Sequence, residues 1–103
     1  MTSPALAIER TWYAVSPNGG PGGAVTFGVG LPRPEPDSGW AVAVSLGGIE
    51  PDPRKIVGED GWQAVALGMR FVAARLADFS DRGWKFYWDK DGELANVEDL
   101  LGG

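Results

Sequence analysis

The chain has 103 residues, 44% hydrophobic and 22% charged, with 14 acids against 9 bases and a formal net charge of −5. That length is one domain with one core, and the acidic balance excludes the positive footprint that nucleic acid or an anionic membrane surface requires. Cysteine and histidine are both missing, which excludes disulfides, thiolate chemistry, histidine-based triads and the commonest zinc ligand sets.

The opening MTSPALAIER has neither a basic start nor a long apolar run, so no signal peptide is read. No stretch approaches ~20 apolar residues, and the cytoplasm is the expected location. Leu6 to Val15 (LAIERTWYAV) is the first strand, on the strength of its β-branched and aromatic residues. SPNGGPGG follows. It lacks the Gly-Lys-Ser/Thr ending of a phosphate loop and is read as a hairpin connection.

Ala24 to Leu31 alternates cleanly, with Val25, Phe27, Val29 and Leu31 on one face and Thr26, Gly28 and Gly30 on the other. The prolines of PRPEPDSG make the next segment a loop. Trp40 to Leu46 alternates again: Trp40, Val42, Val44 and Leu46 against Ala41, Ala43 and Ser45. The bulky face is expected to take a helix. The small face is either solvated or open to another backbone. Gly47 to Asp60 is a connection with a short extended piece at Arg54 to Val57.

The helix follows. Asp60 is its N-cap, Gln63 completes a capping box, Glu59 suits the positive helix end, and Gly83 is the stop signal. Trp84, Phe86 and Trp88 then alternate as a last strand, Asp91-Gly92 is a turn, and NVEDLLGG forms a terminal helical turn capped by Asn96. Trp40, Trp62, Trp84 and Trp88 take inward positions; the side of Trp12 stays open.

A helical wheel puts Trp62, Val65, Ala66, Met69, Val72, Ala73, Leu76 and Phe79 on one core stripe. Leu67 and Phe71 then fall opposite it, flanked by Arg70, Arg75 and Asp78. Either the tail (Leu94, Val97, Leu100 and Leu101) covers this pair, or it anchors a partner or a second copy of the chain.

Chemistry-bearing patterns are sparse. YWDKDGELANVE partly matches a calcium loop, but Tyr87 holds the first ligand position, so a hairpin turn is preferred. Neighbouring carboxylates suit capping and polar turns better than acid/base work, and the serines have no activating base. No cofactor or metal is expected. A meander of three strands and a helix would gather Glu50, Asp52, Glu59, Asp60, Asp89 and Asp91 at one end, with Glu35 and Asp37 at the other. Such a rim steers basic partners.

Gly58, Asp60, Gln63 and Ala64 form a G-x-D-x-x-Q-A segment opening an amphipathic helix after a strand-rich half. In this the chain resembles a group of small, uncharacterised bacterial proteins, although Val65 replaces the leucine usual there. Small, acidic, compact chains of this type are similar to bacterial immunity proteins. The resemblance implies a non-catalytic inhibitor that occludes a basic toxin active site. The expected fold is two-layer α+β, an antiparallel sheet of about four strands with one long helix on one face. The expected partner-binding residues are Leu67, Phe71, Arg70 and Arg75, or Glu35, Asp37, Asp52, Glu59, Asp60 and Asp89. The alternatives are a homo-oligomeric scaffold subunit, through Leu67/Phe71 or the small sheet face, and a small-molecule binder or carboxylate-based enzyme.

Overall fold

Alternating large and small side chains set the sheet, and one capped helix closes it. The computed structural model describes residues 6–101; residues 1–5, part of the stretch searched for a targeting signal, and 102–103 lie outside that description. In chain order come β1 (Ile8–Val15), β2 (Gly23–Val29), β3 (Arg33–Pro34), β4 (Trp40–Gly47), β5 (Arg54–Gly58), α1 (Gly61–Asp81), β6 (Lys85–Tyr87) and a 3₁₀ turn, Val97–Leu101. The fold is α+β, with one long helix on an open antiparallel sheet.

β4 carries β5 along one side. On its other side it carries β3 beside Trp40 and Ala41, then β2 beside Val44 to Gly47. β1 follows β2, and β6 forms the far edge beside β1. β3 and β5 are the additions to the expected order. β5 grows from the extended piece read at Arg54, and it reverses the chain once more before the helix.

α1 therefore starts beside one edge strand and leads into the other. Its 21 residues span about 32 Å, enough to cross the face. Asp60 Oδ1 accepts from Gln63 N–H at 2.8 Å, while Gln63 Oε1 accepts from Glu59 N–H at 2.7 Å. This is a capping box whose return arm lands one residue early. At the other end Gly83 has φ +104°, Trp84 N–H bonds the Phe79 carbonyl and Gly83 N–H that of Ser80. These two bonds make a Schellman stop, which requires the left-handed conformation glycine adopts freely.

The core lies between α1 and the bulky sheet face. Val25, Phe27, Val29, Val42, Val44 and Leu46 are buried as the alternation predicts. Trp12, 1% exposed, centres the aromatic part, with Phe27, Phe86 and Trp88 rings 5.0–5.8 Å away. Its Nε1 has no hydrogen-bond partner among the described residues.

The helix is rotated from its expected setting. Its buried residues are Ala64, Gly68, Val72 and Leu76. A Cβ on Gly68 would stand 2.9 Å from Val42 Cγ2 and 3.1 Å from methyls of Val29 and Val44. The valines are the knobs here, and the small helical residues supply the space. A wheel weighted by hydrophobicity ranks glycine and alanine low and misses this. Phe71 is corrected accordingly: it packs half-buried against the core, with the Arg54 guanidinium 5.6 Å from its ring. Leu67 is half-buried too.

Three further inward assignments fail. Trp62 is 87% exposed and Leu31 65%, and Trp88 touches Trp12 with one side while staying 48% open. Rotation of α1 turns Trp62 off the sheet, and β2 ends at Val29, before Leu31.

Candidate functional site

The extra strand β5 decides which loops share an end. Each antiparallel reversal sends the next loop to the opposite end, so Glu59 and Asp60 lie at the end of the β3–β4 turn, with Glu35 and Asp37. Glu50 and Asp52 lie at the other end. The expected grouping is corrected, because a meander without β5 has the parity wrong. Asp89 follows β6 at the far edge, about 19 Å across four strand spacings from β5.

Half of the anticipated acids have internal work. Glu35 pairs with Lys55. Glu50 takes two hydrogen bonds from Arg75, Nε–Oε1 at 3.2 Å and Nη2–Oε2 at 3.0 Å. Asp60 caps α1. Asp89 Oδ1 accepts from Asp91 N–H at 3.2 Å, closing the turn before Glu93. Asp37, Asp52 and Glu59 are exposed, and their carboxylates make no hydrogen bond or ion pair among the described residues.

Arg75 is a rivet. Besides Glu50 it bonds Asp78 at 3.1 Å and lies 5.2 Å from the Phe79 ring. The Glu50 hydrogen bonds hold its pKa above the usual arginine value, against partial desolvation, which pulls the other way. Arg70 is exposed and lines the groove between α1 and the tail. The tail packs beside that groove, on the Ala73 and Ala77 flank, and does not lie over Phe71, whose ring meets Arg54 instead.

A surface the sequence reading missed begins at Trp62. Spacing of four, seven and eleven residues places Trp62, Ala66, Met69 and Ala73 on one helical stripe. Its lower part walls an apolar cleft of about 120 Å³, completed by Ile8 and Val29 of the sheet and Leu100 and Leu101 of the tail, with Glu9 and Arg10 at the mouth. Its upper part is bare. Gly61 backs onto Pro32, whose Cγ would stand 3.4 Å from a Cβ added at Gly61, so the Leu31–Pro32 segment passes near the helix start, with Leu31 itself exposed. Trp62 thus stands exposed at the same helix start, two residues after the N-cap Asp60 and three after Glu59. The signal available in sequence was Ala64: once it takes the close contact with Gly58 of β5, Trp62, two residues earlier, turns away from the sheet.

The outer sheet face carries no second layer among the described residues. It is polar and small, with Thr11 and Thr26 hydroxyls 2.8 Å apart and Tyr13 folded over Gly22. Among the described residues no group of three or more His, Cys, Asp or Glu side chains is arranged to hold a metal, and no helix is long and apolar enough to cross a membrane. No family model matches the chain, and no match was found among curated proteins or solved structures.

Proposed function

We propose that this chain is a non-catalytic protein-binding domain, and most concretely an immunity-type inhibitor that occludes the basic active site of a bacterial toxin. One observation carries the reading: Trp62 is 87% exposed in the first turn of α1, directly after the acidic Glu59-Asp60-Gly61 entry. An exposed tryptophan next to an acidic helix entry combines a hot-spot side chain with charge that steers and orients a basic partner. Burying that indole is worth about 4–5 kcal/mol in transfer terms, before the costs of association. The net charge of −5 adds long-range attraction for the same partner.

The reading rests on Trp62 rather than on Leu67 and Phe71, because Phe71 belongs to the core and Arg75 is held by Glu50. Asp37 and Glu59, exposed at this end with carboxylates unengaged among the described residues, are its acidic contacts, while Glu35 and Asp60 are held by Lys55 and the helix cap. The Met69 cleft beside the stripe takes a single apolar side chain of the partner.

A photo-crosslinking residue at position 62, with a second at Tyr13 on the outer sheet face as control, tests this in the native host. The expected result is one basic protein captured at 62 and not at 13, with a Trp62→Ala chain failing to protect cells that express that protein. Equal capture at both positions, or full protection by Trp62→Ala, sinks the proposal.

A further inference from the structure

The register of β4 decides where β5 directs its backbone. Gly30 N–H donates to the Ala43 carbonyl at 2.8 Å, so Ala43 turns its peptide groups toward β2. Val42 and Val44, one residue to either side, face β5, where their register partners are Ile56 and Arg54. Lys55 and Val57 are left with N–H and C=O groups aimed away from the sheet. β5 pairs only with β4, so this edge is open among the described residues, and Val57 is 48% exposed on it. The opposite edge differs: Leu94 bridges to Tyr87, and Ala95 N–H bonds the Phe86 carbonyl at 2.7 Å.

Along the open edge the chain reads Arg54-Lys55-Ile56-Val57-Gly58-Glu59-Asp60. Two bases precede a neutral centre and two acids follow it, so the segment run backwards is its own electrostatic complement. We propose that β5 pairs with β5 of a second copy, antiparallel and centred on Val57, to give a twofold dimer with one continuous sheet. In that register Val57 lies opposite its own counterpart, Lys55 opposite Glu59, Arg54 opposite Asp60 and Ile56 opposite Gly58. The interface is isologous, so each charge pair forms twice.

The local chemistry agrees with this register. Val57 exchanges both of its backbone bonds with its counterpart, and Lys55 N–H meets the Glu59 carbonyl of the second copy. Glu59 N–H stays with Gln63 Oε1. Lys55 already holds Glu35, but its side chain is 63% exposed and an ammonium has three donors. A lysine on an edge strand normally repels an added strand; here it repels all registers but the one that brings Glu59 to it. Pro51 and Pro53 on one side and α1 on the other limit the ladder to these positions, which closes the assembly at two copies.

So short a ladder buries less than a standard interface, and the dimer is weak, with a dissociation constant in the micromolar to millimolar range. This inference goes beyond the inhibitor reading. Glu59 belongs to both surfaces, so self-pairing and toxin binding compete there, while Val57 serves only the first and Trp62 only the second.

Sedimentation equilibrium of the full chain, from about 10 μM to about 1 mM, reads the state directly. The expected result is a reversible monomer–dimer equilibrium that weakens as salt rises. Lys55→Glu and Glu59→Lys each weaken it about tenfold, and the combined charge swap restores it to within about threefold. Loss of the internal Lys55–Glu35 pair does not predict that rescue. Val57→Pro, with its helix and sheet content checked by circular dichroism, abolishes the dimer by removing a ladder donor. A wild-type chain that stays monomeric throughout overturns the proposal, even if its edge accepts another protein's strand. So does a dimer that ignores Val57→Pro, or a charge swap as weak as the single variants.

Discussion

Gly68 sits against Val42 with no room for a methyl group between them. A Cβ on Gly68 would stand 2.9 Å from Val42 Cγ2, and Val42 is itself 1% exposed and fixed by the sheet. Gly68→Ala gains about 1 kcal/mol of helix propensity and forces α1 off three valines, for a net loss of about 1–3 kcal/mol. Urea unfolding measures this. Adding Val42→Ala to Gly68→Ala recovers part of the loss, with a coupling of at least about 0.5 kcal/mol. A more stable Gly68→Ala chain shows instead that the helix slides freely on the sheet.

The Arg75–Glu50 fork ties α1 to the β4–β5 loop. Arg75→Ala is expected to cost about 1–2 kcal/mol through the lost hydrogen bonds and the lost cover over Phe79. Arg75→Lys recovers little of it, because an ammonium cannot make the two-pronged contact. Thermal melts of both variants decide the matter. A lysine variant as stable as the wild type reduces the fork to a simple charge contact.

Asp60→Ala removes the acceptor for Gln63 N–H and costs about 1 kcal/mol, whereas Asp60→Asn keeps the cap to within a few tenths. Amide hydrogen exchange over residues 61–64 localises the effect to the first turn of α1. Equal protection in both variants means that Gln63 alone secures that turn.

Trp62→Ala leaves stability within about 0.5 kcal/mol of the wild type, because the indole has almost no intramolecular contact to lose. The same chain loses partner binding. A large drop in the unfolding midpoint contradicts the exposure of Trp62 and removes the argument for its role as an anchor.

The strands were legible where large and small residues alternate, as in Val25-Thr26-Phe27 and Val42-Ala43-Val44, because a two-residue period has no rival explanation. The helix start was legible in Asp60 and Gln63. Helix rotation was not. Gly68 and Ala64 carry little hydrophobic weight, yet they form the contact line, since shape and not hydropathy sets how close two backbones come. The fate of the acids was equally hidden. Arg54 to Gly58 is short, charged at its start and preceded by Pro51 and Pro53, so it reads as an extended piece within a connection and not as a paired strand; counting it as a strand reverses the end on which Glu59 and Asp60 emerge.

The path of α1 from one border of the sheet to the other also orders events during synthesis. β6 and its partner β1 lie some seventy positions apart along the chain, with the whole of α1 between them, so their pairing is expected to follow docking of the helix. Until then β1 is an unguarded border on a nascent hairpin array, which makes the interval before Lys85 leaves the ribosome the one in which sticking to other chains is the main hazard. Closing the final strand is thus a late, non-local step whose speed depends on how readily the valines find their glycine.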